Sequence, residues 1–468
     1  MTIDALKSLL PIADWDDRRA EGVIFTGGID PILPTPFKIG EAAAAALAAT
    51  GLAVSDLWQL RTGRLQEVSV DARLATATLR GTKYIEIDEK SAAPNYNLLK
   101  SVFPTKDGRW VYLHCRFSHH RAAALSVLNV PEDVDAVHKA VATWDGLDLE
   151  EAIIAANGAG GMVRTMDEWA AHPQGVAVAN LPLMEIVRIG DSPPEPLPEG
   201  DRPLSGIRVL DLTRVLAGPT CGRTLAEHGA DVLKIAGAHL PNSDEEDFDT
   251  GRGKLSAYLD LREPQELETL RSLARNCDVF SQAYRPGALS KHGLSPEELA
   301  ALRPGMVCVN MCAFSHEGPW TARRGFDSVV QSVSGLSDHQ SKVLPDEKGG
   351  PIFLPASAID YLTGYLMAFG AMVALKRRAQ EGGSWLVRIS LAQVGHWLAG
   401  LGQVPVAQLQ DVPREFTEAE IESWMMTTPI SVGSFRHLKS VVGLSETPPY
   451  CVRPPVPLGT HKPEWPVV

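Results

Sequence analysis

The chain is short of the features that usually settle a function at once. It has only six cysteines in 468 residues: Cys115, Cys221, Cys277, Cys308, Cys312 and Cys451. None forms a C-x-x-C pair. That excludes a disulfide framework and points to reduced thiols in a cytoplasm. Positive charge is also short: 44 Lys and Arg stand against 57 Asp and Glu, a net charge of −13. Such a balance argues against nucleic acid as a partner, though a local basic pocket can still meet a small anion. The opening "MTIDALKSLLPIADWDD" has early acids and no apolar core, so it does not read as a secretion signal. The Ala-rich run 41–49 is too short and too weakly apolar to cross a bilayer, so no membrane is expected. No metal is expected either: His114, Cys115, His119 and His120 in "HCRFSHH" fit no familiar zinc spacing and read as a surface loop after a strand. What remains is an ordinary globular composition, 44% hydrophobic and 22% charged, long enough for more than one core.

The clearest punctuation is "GDSPPEPLPEGDRPLSG" (190–206), whose prolines favour an extended connection. After it, strand and helix signals alternate. "IRVLDL" (207–212), "VLKIA" (232–236), "SAYLDL" (256–261), "DVFSQAY" (278–284) and "MVCVNMCAF" (306–314) read as strands. "CGRTLAEHGAD" (221–231), "EPQELETLRSLARNC" (263–277) and "SPEELAALR" (295–303) read as helices. The alternation predicts an α/β fold with a doubly wound, Rossmann-like parallel sheet, whose ligands sit at the carboxyl ends of the strands. A nicotinamide cofactor does not fit. "TRVLAGPTCG" follows the first strand where G-x-G-x-x-G belongs.

"FLPASAIDYLTGYLMAFGAMVAL" (353–375) holds one charge, Asp360. Apolar residues at helical spacing predict a buried helix over 361–378, with Lys376, Arg377 and Arg378 near its end and Gly382–Gly383 stopping it. Asp360 then reads as a helix cap, or as an anion held at a helix N-terminus for covalent chemistry. Both readings stand on the residues alone.

The N-terminal half is less legible. "GEAAAAALAATGLAVSDLWQL" (40–60) looks helical and "KDGRWVYLHCRF" (106–117) strand-like. A faint repeat links "RTGRLQEVSV" (61–70) to "QEGGSWLVRI" (380–389): each follows an Ala-rich helix and places a glycine five residues before a valine. Glu41 falls near the position of Asp360 in this repeat and reads as a degenerate copy, not a second nucleophile.

From Leu204 onward several stretches occur in a telling order: "PLSGIRVLDLTRVLAGPTCGRTLAEHGADVLKI", "GRGKLSAYLDLREPQ", "YRPGALSKHGLSPEELAALRP", "FSHEGPWTARRGFDSVVQSVSGL", "IDYLTGYLMAFG", and the tail "GLSETPPYCVRPPVPLGTHKPEWP". Together they resemble family III CoA-transferases, the CaiB/BaiF group. The resemblance implies a large Rossmann-like domain plus a smaller α+β domain. It implies Asp360 as a nucleophile that forms an aspartyl anhydride and then an aspartyl-CoA thioester. It places CoA contacts at Leu216, Ala217, Leu259, Asp260, Leu261, Arg262, Ala283, Tyr284, Arg285, Lys291 and Arg324. Acyl-CoA and a carboxylic acid would be substrates, with no tightly bound cofactor, and a cytoplasmic homodimer is expected by analogy.

There are departures from the family pattern. Ala236–Gly237 and Ala283 stand where relatives often carry Arg and Asn, and "GRGKL" (251–255) replaces a more basic segment. The small-domain resemblance lies ahead of the large domain, in "FPTKDGRWVYLH" and "TMDEWAAHPQGVAVANLPLMEI". The expected organisation is therefore 1–89, a helical segment and partial repeat; 90–190, a small domain facing Asp360; 191–203, the linker; 204–400, the large domain; and 401–468, a return to it. A racemase of the same fold would need a histidine in a G-H-D segment. Here Gly325–Phe326–Asp327 stands in its place, leaving His316 as the nearby imidazole. A non-catalytic CoA-binding subunit is the third reading.

Overall fold

The computed structural model describes residues 4–92, 99–347, 349–431 and 433–466. Residues 93–98 of the expected small domain lie outside that description.

The centre is a seven-stranded sheet. Its strands lie in the order Lys254–Tyr258, Asp231–Ala236, Arg208–Asp211, Val279–Gln282, Val307–Cys312, Ser384–Ser390, Met184–Gly190. The first six run parallel; Met184–Gly190 is an antiparallel edge. Val- and Ile-rich strands of this kind are buried on both faces, with helices above and below. Chain direction across the sheet reverses between Arg208–Asp211 and Val279–Gln282, and a crevice opens there at the strands' carboxyl ends.

The long helix bearing Asp360 runs from Ala358 to Glu381 and is mostly apolar along its buried length. It starts earlier than the periodicity suggests, because Ala358, Ile359 and Tyr361 are also buried. Gly364 lets it close on the helix Ala217–Glu227; a Cβ there would overlap the carbonyl of Ala217. A second 24-residue helix, Ile39–Thr62, packs alongside. Both are long and apolar enough to cross a membrane, yet they are 100% and 83% buried inside the protein. They are core helices.

Residues 101–179 form a separate layer. Ser101–Pro104, Trp110–Leu113 and Gly160–Met162 make a three-stranded antiparallel sheet, with helices over one face and their own apolar cluster. The edge strand Met184–Gly190 precedes the proline-rich connection but belongs to the large sheet, because its alternate residues pair with Ser384–Ser390. The connection itself is pinned: Arg61 donates to the carbonyls of Pro198, Pro203 and Ser205. A third sheet joins Val23–Thr26, Val68–Asp71 and Val442–Leu444. The tail then runs along the large sheet, where Gly253 N–H donates to Arg453 O and His461 N–H to Ser256 O.

All six cysteines are unpaired. The segment 114–120 is no surface loop: His114 and His120 are each 3% exposed, and Ser118–Leu128 is a helix. The packing of this layer against the large domain buries them, which strand-like spacing alone could not foretell.

Candidate active site

Three loops that leave consecutive parallel strands converge on one cleft of about 840 Å³. Leu212 and Arg214 to Ala217 follow Arg208–Asp211, Ala283 to Pro286 follow Val279–Gln282, and Cys312 and Ala313 close Val307–Cys312. Phe117, Ser118, His119 and His120 reach it from the small layer, and Arg323 to Phe326 line it from the loop ahead of the helix Asp327–Val333. Asp360 completes it. Among the described residues it is the only carboxylate on the wall, against four arginines: Arg214, Arg285, Arg323 and Arg324.

The first loop is strained. Val215 has φ 69°, a left-handed conformation that β-branched residues rarely adopt. The turn sends Arg214 to the carbonyl of Pro241 across the cleft, while Leu216 and Ala217 begin the next helix.

Asp360 is not the helix cap. Ser357 holds that position, and Asp360 is the third residue of the helix. The capping anion comes from elsewhere: Asp327 accepts the backbone N–H of Asp360 at 3.0 Å, and Gln331 donates to the other oxygen of Asp327. Burial raises the Asp327 carboxyl to about 6. Burial also raises Asp360 well above the ordinary carboxylate range, and the charges of Asp327 and Glu246 add to it. Lys100 and Arg116 pull the other way. Arg116 is itself held by Glu246 at 2.6 Å. The result is a carboxylate in an apolar wall, basic enough to attack and still reachable from the cleft.

The expected CoA contacts divide. Leu216, Ala217, Ala283, Tyr284, Arg285 and Arg324 line the cleft. Leu259, Asp260, Leu261, Arg262 and Lys291 do not. Leu259 is core, Asp260 and Arg262 pair with each other, and Lys291 is exposed on the turn Ser290–His292. Asp260 touches the cleft only through His239, 3.5 Å away. His316 pairs with Glu185 at 3.3 Å and does not line the cleft. The Phe326 ring stacks face to face on His114, centroids 3.8 Å apart. Burial pushes His120 down to about 3, so it is a neutral hydrogen-bonding group. Among the described residues no cluster of His, Cys, Asp or Glu is arranged to hold a metal.

Sequence reasoning missed Lys100, Arg116, Arg214 and His120. Lys100 directly precedes the small layer, and Arg116 and His120 lie within it, where no spacing ties them to Asp360. Asp327 was visible only as part of Gly325–Phe326–Asp327, without a role.

Residues 204–427 match CoA-transferase family III. The acetyl-coenzyme A transferase of Hypoxylon pulicicidum is 25% identical over 427 residues, 81% of this chain and 72% of that protein. The succinyl-CoA:glutarate CoA-transferase of Mus musculus is 32% identical over 185 residues, 37% of this chain and 41% of that one. The crystal structure of a CaiB/BaiF family protein from Brucella suis aligns with a TM-score of 0.39 at 26% identity, covering 50% of this chain and 65% of the other.

Proposed function

We propose that this chain, whose residues 204–427 match CoA-transferase family III, moves CoA from an acyl-CoA thioester to a carboxylic acid with Asp360 as the acyl-carrying group. One observation carries the reading: a single carboxylate at the end of an arginine-rich cleft. The guanidinium groups of Arg285 and Arg324 suit the phosphates of CoA, whereas Arg323 is paired to Glu150 and Glu151; a planar guanidinium binds phosphate in a bidentate way. The strand-end crevice suits the nucleotide.

The steps balance without an added oxidant or proton donor. An Asp360 oxygen attacks the thioester carbonyl, the C–S bond breaks, and CoA leaves as thiolate. The thiolate then attacks the Asp360 carbonyl of the mixed anhydride and releases the donor acid as carboxylate. The acceptor carboxylate attacks the aspartyl-CoA thioester, forming a new anhydride and freeing CoA thiolate again. That thiolate takes the new acyl group, and the Asp360 carboxylate is restored. The start of the helix Ala358–Glu381 favours the anion, and Asp327, Lys100 and Arg116 tune it.

The test is a panel of acyl-CoA donors against carboxylic acids, read by mass for new acyl-CoA species. Hydroxylamine added during turnover should trap a hydroxamate on residue 360. Full transfer by Asp360→Asn, with deamidation excluded by mass, would overturn the reading.

A further inference from the structure

The segment Val23–Thr78 and the segment Val309–Gly400 are built alike. In each, a strand runs parallel to a second strand, a 24-residue helix crosses between them, and a third strand lies antiparallel on the far side. From the helix start through the second strand the positions agree at one constant offset along the chain, and the flanking strands match through their pairing. Val70 faces Val442 where Ile389 faces Met184, and Thr26 faces Asp71 where Cys312 faces Ser390. The helix caps agree too: Lys38 has φ −79°, ψ 60°, and Ser357 has φ −78°, ψ 57°. Gly63 and Gly382 end the two helices at φ 77° and 72°. Inside them, Gly51 meets Val68 as Gly370 meets Val387, at 2.7 and 2.8 Å from the position of a Cβ. Asp71 and Ser390 cap the helices that follow.

The likeness extends to the acid. Asp30, in Gly28–Ile29–Asp30, accepts the N–H groups of Gly40 and Glu41, as Asp327, in Gly325–Phe326–Asp327, accepts that of Asp360. Glu41 therefore stands where Asp360 stands. Yet its surroundings differ. The N–H of Ala5 donates to Glu41 at 3.0 Å, Lys38 lies 3.3 Å from its other oxygen, and no residue of 4–92 lines the cleft.

We propose that Val23–Thr78, with the strand Val442–Leu444, is an internal second copy of the acid-bearing unit, with its carboxylate bonded to Ala5 and Lys38 and shielded from the cleft. The copy serves the first as a built-in partner. The two helices lie side by side like an isologous pair, with Thr50 donating to Tyr365 O and Asp56 paired to Lys376 at 2.7 Å. The residues that directly follow Thr78 also hold the start of the Asp360 helix: Leu79 O accepts the N–H of Ser357, and Tyr361 Oη accepts the N–H of Thr82. One chain thus carries one acyl-accepting carboxylate and its own scaffold for it.

The acyl part rests on the transfer chemistry proposed above, so the test has two arms on the full chain. In the first, acetyl-CoA and hydroxylamine are applied to wild type, Asp360→Asn and Glu41→Gln, with peptide mass mapping. Label on residue 360 alone, and turnover of Glu41→Gln within about two-fold of wild type, supports the inference. Label on Glu41, or transfer by Asp360→Asn that vanishes on adding Glu41→Gln, overturns it while leaving carboxylate-mediated transfer standing. The second arm is independent of CoA. Carbodiimide with glycine ethyl ester should modify Glu41 at least about ten-fold more slowly than the exposed Glu418. Equal rates overturn the shielding whatever the enzyme proves to transfer. Absence of label and of transfer with every donor would sink the transfer reading alone, and the second arm would still decide this one.

Discussion

Two apolar helices of equal length lie side by side in this protein, and each begins with an acid held under a second, remote acid. One acid faces a cleft of about 840 Å³ lined with arginines; the other is closed by the backbone of residue 5. The difference teaches that a carboxylate at a helix start is not a site by virtue of that placement. Every helix N-terminus favours an anion. Access and a ligand-matched charge around it separate the two. Lys100 and Arg116 act at Asp360, whereas Glu41 has Lys38 and the amide of Ala5.

The sharpest way to break this comparison is by function. Asp360→Asn should lower transfer by about 10⁴-fold or more, as loss of a nucleophile does, while Glu41→Gln leaves it nearly unchanged. A steady-state assay on both variants decides it.

The next contrast is in stability, at the helix ends. Arg378 is fully buried and pairs with Asp278 at 2.8 Å, while its counterpart in the other helix, Gln59, is exposed. Arg378→Ala removes one of the two guanidinium partners of Asp278, leaving Arg303 at 3.0 Å, and should cost about 1–3 kcal/mol in denaturant unfolding. Gln59→Ala should change the midpoint little.

Binding comes third. Arg324→Ala removes one cleft guanidinium, and loss of a charge-assisted bond of about 1.5–3 kcal/mol should raise KM for acyl-CoA by about 10- to 100-fold. The rate at saturation should hold better than KM does. An unchanged KM would place CoA elsewhere.

Gly364 offers a smaller structural test. An alanine in mid-helix normally gains up to about 1 kcal/mol over glycine, and the equivalent position is already Ala45. At 364, however, the new methyl would overlap the carbonyl of Ala217. Gly364→Ala should therefore destabilise by about 1–3 kcal/mol through overpacking, and shift the start of the helix Ala217–Glu227 at the cleft.

The smallest effect is a pH shift. Asp360 is raised first by burial and next by Asp327. Asp327→Asn removes that neighbouring charge, so the acidic limb of the pH–rate profile should move to lower pH. Stability should respond as well. With Asp327 near 6 in the folded state, above its ordinary value of 3.8, the native protein holds more protons than the unfolded chain between those values, and stability falls as pH rises through that window. In Asp327→Asn this fall should be reduced. A pH profile unchanged in both respects would separate Asp327 from Asp360.

The sequence by itself determined the parallel sheet. Its strands are rich in Val, Ile and Leu and alternate with helices, and burial on both faces demands that composition. It also marked Asp360 as the one charge at the head of a long apolar run, and the chain's faint repeat was legible through Gly63 and Gly382, because a helix end at positive φ calls for glycine. Tertiary structure alone decided the rest. That Ser357 rather than Asp360 caps the helix depends on where Asp327 is delivered, thirty-odd residues away along the chain. That His114 and His120 are buried depends on the small layer docking against Phe326. And that Glu41 is closed while Asp360 is open depends on which loops end beside each, since local periodicity specifies a helix and its face but carries no record of what a distant segment will lay over its first turn.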